Sequence, residues 1–272
     1  MRLGVHLPQF RAPVPGAVLA DAARAAERAG ADDLWVSDHL LLPVDSERPP
    51  ASFHDPLTVL TWAAAVTTRA GLGTSVLVAP YRHPVVLAKA LASLDALSGG
   101  RVIAGLASGW LESEFVALGV PFHDRGRRTD ETIAAVRALW RGEPSFRWHG
   151  AEVAGHRLLP GPARPEGPPV WVGGDSDAGI RRAVRVGAAW HTTTSHPDRL
   201  AERLQVLDAA LAAAGRARSG FTVSVRVRAS VERMRDLAPR LAGLGVDHVL
   251  VDPPAFSADR FEDEVAALRT LV

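Results

Sequence analysis

Asp38 and His39 stand side by side in this chain and offer its plainest proton-handling chemistry. An imidazole titrates near neutrality, and a neighbouring carboxylate can orient it or bind a polar ligand. The pair therefore reads as an acid/base couple, or as a capping Asp beside a ring packed under a loop. A second kind of site is written in small residues: Ala107, Ser108 and Gly109 before Trp110, then Gly173 and Gly174. Residues with almost no side chain let backbone N–H groups come close to a flat or anionic ligand. Gly173-Gly174 precedes Asp175 and Asp177, which fits a phosphate on helix N–H groups or a helix capped by one of those acids. Trp110 fits the core or the wall of a ring pocket.

Other chemistries are missing from the spacing. There is no HxH or HExxH, so no metal is expected, and no GxSxG nucleophile elbow. Cys is absent, which removes disulfides and thiolate chemistry and fits a cytoplasmic protein. Lys89 is the only lysine and falls inside a helical pattern, unsuited to Schiff-base work at a strand end.

These residues need elements to hold them. Leu3–Leu7, Leu34–Val36, Leu72–Val78, Val102–Leu106, Val170–Val172, Trp190–Thr193, Phe221–Val227 and His248–Val251 read as short buried strands. Helical patterns separate them, among them Pro15–Ala29, Pro56–Thr68, a helix opened by His83-Pro84, Thr129–Trp140, Asp177–Val186 and the Leu200, Leu204, Leu207, Leu211 stripe. Eight strand–helix units imply an α/β fold, a closed (β/α)8 TIM barrel spanning 1–272 as one domain. An open doubly wound sheet is the runner-up, but no GxGxxG turn follows the first strand. The rhythm breaks at 142–169, where 11 of 28 residues are Gly or Pro, which reads as an insertion between the fourth and fifth strands with a short hairpin near His149-Gly150.

In such a barrel the strands' carboxyl ends carry the ligand site, which is where the candidates above fall. The chain has 31 Lys plus Arg against 30 Asp plus Glu, a balance that does not advertise nucleic acid or an anionic membrane. No signal-peptide core follows Met1, and no apolar run reaches the roughly 18 residues of a membrane span. Ala-rich apolar helices suggest a homodimer.

With the strand ends assembled, the chain resembles the bacterial luciferase-like superfamily, in particular its deazaflavin (coenzyme F420)-dependent oxidoreductases. LGVHLPQF, LWVSDHLLLP, LGTSVLVAPYRHPVVLAKALASLDALSGGR, VIAGLASGWLESEFVALGVPFHDRGRRTDETI and PPVWVGG carry the likeness, which covers nearly the whole chain and includes the insertion. The resemblance implies hydride transfer between coenzyme F420 and a small organic substrate. It implies a non-prolyl cis peptide at Ser75-Val76 supporting the cofactor ring, and Asp38 and His39 beside ring and substrate; on this reading His39 is expected to give or take the proton and Asp38 to be the pocket carboxylate. Ala107, Ser108, Gly109 and Trp110 would meet the cofactor's linker region, and Gly173 and Gly174 its phosphate. Two departures stand out. Ser108-Gly109-Trp110 replaces the Thr-Gly-Glu turn of the sugar-phosphate dehydrogenases, and Leu40-Leu41-Leu42 lacks their Trp, so that substrate is not implied. Ala188-Ala189-Trp190 stands where many relatives have Asp-Gly-Trp. An FMN-dependent monooxygenase using reduced flavin and oxygen, and a non-catalytic flavin-binding barrel, remain the alternatives.

Overall fold

The computed structural model describes residues 1–10, 14–44, 52–253, 257 and 259–272. The chain starts with β1 (Arg2–His6), α1 (Gly16–Arg28), β2 (Asp33–Val36) and α2 (Pro56–Val66). α1 opens directly after Pro15 and is followed by Gly30 at φ +88°, a backbone region that L side chains avoid. Asp55 caps α2 by accepting from the Thr58 N–H at 2.9 Å. Next come β3 (Gly71–Thr74), β4 (Leu77–Val78), α3 (Pro84–Leu97) and β5 (Val102–Ala107). α4 (Glu112–Ala117) and α5 (Arg125–Trp140) lead into a hairpin of β6 (Ser145–Trp148) and β7 (Ala151–Ala154). The last third runs β8 (Val170–Gly173), α6 (Asp177–Val186), β9 (Ala189–Thr192), α7 (Pro197–Ala213), β10 (Thr222–Arg228), α8 (Val231–Gly243), β11 (His248–Asp252) and α9 (Phe261–Arg269).

The parallel pairings close a ring. β1 lies between β2 and β11, β3 joins β2 to β5, and β5, β8, β9, β10 and β11 follow in order. β4 continues β3 alongside β5, so the ring has eight strand positions, the (β/α)8 barrel that the alternation implied. The expected strand 72–78 is not continuous: a cis peptide at Ser75–Val76 separates β3 from β4. The expected helix at Thr129–Trp140 begins earlier, at Arg125, and is preceded by the short α4. The irregular stretch before β8 holds the antiparallel β6–β7 hairpin, turning at His149 and Gly150.

Apolar side chains fill two layers. One lies between strands and helices, built from residues such as Leu3, Leu34, Leu91, Val172, Leu207 and Val265. The other is the barrel interior, where Trp35, Ile103, Trp171, Ala189 and Leu250 pack together. Glycines on the strands make that interior possible. A Cβ on Gly73 would sit 2.5 Å from the Trp35 ring, and one on Gly105 only 1.7 Å from the Thr74 carbonyl oxygen. The SGGR segment ties the far end of the barrel. Arg101 donates to the carbonyls of Ser98, Ala70, Ala64 and Thr67 at 2.9 to 3.1 Å. Buried Asp95 fixes the insertion by accepting from the Ala163 N–H and from Arg164. No described helix is long and apolar enough to cross a membrane.

Candidate active site

The strands' carboxyl ends open into a cavity of about 780 Å3, within the range of cofactor and small-molecule sites. Asp38, His39, Ser75, Val76, Ala107, Ser108, Gly109, Trp110, Gly173 and Gly174 all line it. Residues scattered over 137 positions of sequence thus meet around one space, because each sits just past a barrel strand.

Asp38 and His39 do not act on each other; each has a different partner. Asp38 is buried and takes both arms of Arg82, at 2.6 and 3.0 Å, together with the Val78 N–H at 2.9 Å. His39 Nδ1 lies 2.9 Å from Glu114 Oε2 on α4. Glu114 is 1% exposed, and its other oxygen accepts from the N–H groups of Leu40 (2.6 Å) and Leu41 (3.2 Å). Tyr81 donates its hydroxyl to Glu114 Oε2 at 3.0 Å. Burial pushes the Glu114 carboxyl up, but the hydrogen bonds from His39, Leu40 and Leu41 outweigh it and leave the group below its usual value. Tyr81 is driven far up by burial first and by the Glu114 charge second, so its hydroxyl stays protonated. A carboxylate beside Nδ1 favours a hydrogen on that atom and so orients the ring. Phe53 and Trp110 frame the ring edge-on, at 5.0 and 5.9 Å between centroids, and Phe10 stacks on Phe53 at 4.9 Å. Trp110 is 62% exposed, a wall of the opening and not core.

β8 stands opposite β1 in the ring, so Gly173 and Gly174 lie across it from the segment after β1 that carries Phe10. Gly174 has φ +136°, and a Cβ on Gly173 would lie 2.9 Å from Val76 Cγ1, so this wall is bare backbone by necessity. α6 starts here, capped by Ser176, which accepts from the Gly179 N–H at 3.2 Å. Asp175 and Asp177 are not the caps. Asp175 instead holds the hydroxyls of Thr192 and Thr193. Arg125 and Arg182 line the same end. Arg182 is paired with Asp130 at 2.6 Å. Arg125 lies over the Phe122 ring and donates to the carbonyls of Gly109 and Phe122, with no carboxylate partner among the described residues.

The cavity floor is polar. Arg226 reaches from β10 to the Ser37 hydroxyl (2.8 Å), the Ser75 carbonyl (3.0 Å) and Asp252 (3.1 Å). Ser75 Oγ lies 2.8 Å from His191 Nε2, and burial first, with the neighbouring His248 and Arg226 adding to it, lowers the His191 pKa well below its usual value.

Glu114, Arg82 and Arg226 escape a reading by motif. Two signals were available. Ser224, Arg226 and Arg228 alternate with Val223, Val225 and Val227, which puts polar groups on the interior face of a barrel strand. Glu114 sits against Phe115 in a helix otherwise started by Glu112, one acid more than a surface turn needs.

Residues 1–267 match the sequence model of a family described as luciferase-like monooxygenase. An uncharacterized Mycobacterium tuberculosis protein is 34% identical over 65% of this chain and 66% of its own length. A second protein of that organism is 32% identical over 90% of both chains. An F420-dependent glucose-6-phosphate dehydrogenase of Kineococcus radiotolerans is 33% identical over 79% of this chain and 64% of its own. An FMNH(2)-dependent dimethylsulfone monooxygenase of Pseudomonas putida is 30% identical over 67% and 51%. This chain thus spans just under two thirds of the first of these relatives, and the match to the last covers about half of that protein. Among solved structures, an F420-dependent secondary alcohol dehydrogenase in complex with an F420-acetone adduct superposes with a TM-score of 0.83 at 17% identity, over 100% of this chain and 98% of that one.

Proposed function

This chain belongs to the luciferase-like monooxygenase family, and from that premise we propose that it is a coenzyme F420-dependent oxidoreductase that moves a hydride to or from a small, largely apolar alcohol, carbonyl or unsaturated compound. The observation that carries the reading is the His39–Glu114 pair, an imidazole that lines the cavity with a buried carboxylate 2.9 Å from its Nδ1; a hydrogen held on Nδ1 would leave Nε2 to take the proton. Hydride removal from an alcohol carbon needs the hydroxyl proton to leave in step, and an oriented imidazole at that oxygen supplies the acceptor. Run in the other direction, the same nitrogen returns the proton to a carbonyl oxygen or carbanion.

The cavity suits the cofactor class. Gly173 and Gly174 form a cradle that a Cβ would fill, the α6 N-terminus adds oriented N–H groups, and Arg125 adds a cation without a carboxylate partner among the described residues. Those residues would hold a phosphate, Ala107 to Trp110 the linker, and Ser75 and Val76 the ring. A bound deazaflavin supplies the carbon that takes or gives the hydride. Phe10, Phe53 and Trp110 would exclude water from the substrate side and favour apolar groups.

The Pseudomonas putida relative keeps an FMN reading in play, since small-residue walls serve either ring system. Fluorescence titration with coenzyme F420 and with FMN separates them. Tight binding of F420, with oxygen-independent oxidation of secondary alcohols that is lost in His39→Asn, is the expected result. Tight FMN binding with oxygen consumption would replace this reading by the monooxygenase one, and cofactor binding without turnover across the panel would leave a flavin-binding barrel.

A further inference from the structure

A chain of buried side chains runs down the barrel interior from the cavity floor. Ser75 Oγ lies 2.8 Å from His191 Nε2, His191 Nδ1 lies 2.8 Å from Ser224 Oγ, and Ser224 Oγ lies 2.7 Å from His248 Nδ1. His248 Nε2 then lies 3.4 Å from Asp33 Oδ2, a charge contact outside hydrogen-bond geometry, and neither atom has a hydrogen-bond partner among the described residues. All of these side chains are buried. Asp33 Oδ1 is held by Arg2 at 2.5 Å, so its charge belongs to the end of the barrel away from the cavity.

Each link has one hydrogen, so only two arrangements of the chain exist. Burial holds both histidines below their ordinary pKa, so each ring carries a single N–H. If His248 keeps that hydrogen on Nε2, the N–H lies beside the Asp33 carboxylate, whose charge favours it there. Nδ1 then accepts from Ser224, Ser224 accepts from His191 Nδ1, and His191 Nε2 accepts from Ser75. The reverse arrangement sets the His248 Nε2 lone pair against a carboxylate oxygen, two acceptors with no hydrogen between them in a buried place. Asp33 decides between the two.

We propose that Asp33 sets the hydrogen-bond polarity of the cavity floor from the far end of the barrel: Ser75 Oγ spends its hydrogen on His191 and offers the ligand a lone pair only, so the floor selects a ligand edge bearing an N–H or O–H donor. Arg226 reinforces the arrangement, since its Nη1 donates to Ser75 Oγ at 3.3 Å and to the Ser75 carbonyl at 3.0 Å, leaving no hydrogen-bonding role for a Ser75 hydrogen on that side. Both FMN and coenzyme F420 carry a ring N–H of the required kind, so this polarity rests on the cofactor reading and deepens it without depending on which of the two binds.

The substitution Asp33→Asn is isosteric and reverses the polarity. It would turn an amide N–H₂ toward His248 Nε2, and the whole chain would then run the other way, ending with a Ser75 hydrogen in the cavity. Imidazole 15N shifts of the cofactor-free protein should show His191 as the Nδ1–H form and His248 as the Nε2–H form, with both tautomers exchanged in Asp33→Asn. Arg2→Gln, which removes the ion pair but keeps the carboxylate, should leave both unchanged. Affinity for FMN and F420, measured by fluorescence, should fall about tenfold or more in Asp33→Asn, although residue 33 does not line the cavity. An Nε2–H His191 in the unmodified protein would overturn the proposal, as would exchanged tautomers with undiminished affinity for both cofactors. If neither cofactor binds the unmodified protein, the functional reading fails, while the tautomers still decide the polarity. Should Asp33→Asn not fold, Ser224→Ala cuts the chain midway. His191 should then lose its Nδ1–H preference, and its retention would count against the role given to Asp33.

Discussion

Arg82 grips Asp38 through both of its terminal nitrogens, Nη1 to Oδ2 at 2.6 Å and Nη2 to Oδ1 at 3.0 Å, with both side chains nearly out of solvent. The carboxylate also takes the Val78 N–H, so this pair joins the loop after β2 to the short strand β4. Removing the cation would strand a buried charge. Arg82→Met should lower unfolding free energy by about 3 kcal/mol or more, read from urea denaturation. Replacing both partners together, Arg82→Met with Asp38→Leu, should recover part of the loss. A double variant as damaged as the single one would show that the pair contributes geometry and not charge balance.

His39 and Glu114 should separate in kinetics. His39→Asn removes the proposed proton acceptor and should reduce kcat by about 10²- to 10⁴-fold, the usual worth of a positioned acid/base group. Glu114→Gln keeps the shape but loses the charge and the favoured tautomer. A smaller fall in kcat, with KM nearly unchanged, is expected under steady-state conditions. Equal damage to KM would mean that Glu114 shapes the pocket instead of orienting the ring.

Stability should fall on mild acidification. His191 and His248 are held neutral by burial, below the value of 6.5 usual for an unfolded chain. Below that pH the unfolded state binds protons that the folded state refuses, so stability drops as pH falls, by up to about 1.4 kcal/mol per pH unit for each histidine. Glu114 adds a second, more acidic window. Its folded pKa is depressed, so its contribution is complete above the unfolded value of 4.5 and is lost as pH falls through the folded one. Urea unfolding across this range should show both losses, with the lower one reduced in Glu114→Gln. A flat profile between pH 7 and 5.5 would contradict the neutral, buried state of the two rings.

Two glycine substitutions make a matched pair. Gly105→Ala places a Cβ 1.7 Å from the Thr74 carbonyl oxygen, a backbone atom that cannot step aside. A loss of about 3 kcal/mol or more is expected, at the upper end of overpacking effects. Gly161→Ala meets nothing within 4 Å and has no left-handed φ, so its effect should stay within about 0.5 kcal/mol. Thermal unfolding of the two variants side by side tests whether β3 and β5 approach as closely as described.

Much of the site was legible because barrel chemistry is concentrated at strand ends, and strand ends can be found from apolar runs that stop at small residues. Asp38, His39, Ser108 and Gly174 all announce themselves in this way, and all line the cavity. The partners that give those residues their roles were not legible. Glu114 is 75 residues from His39, and His191 is 116 from Ser75. Nothing local in the sequence marks such pairs, since they exist only once the ring is closed. Asp175 shows the same limit on a shorter scale. Its place before a helix suggests a cap, yet the hydroxyls of Thr192 and Thr193 at the end of β9 win it, and Ser176 does the capping.

Closure through the first and last strands has a temporal side. The β1 edge that meets β11 through Arg2↔His248 to Val5↔Val251 has no partner until nearly the whole chain has been made. A ribosome releases the amino-terminal units first, so they emerge with an open, apolar strand edge of the kind that invites pairing with other chains. Contacts so distant in sequence also form slowly. During synthesis, then, this protein has a long interval of exposure that ends only when β11 arrives, and its yield in cells should depend on chaperone supply and on growth temperature more than its folded stability alone would indicate.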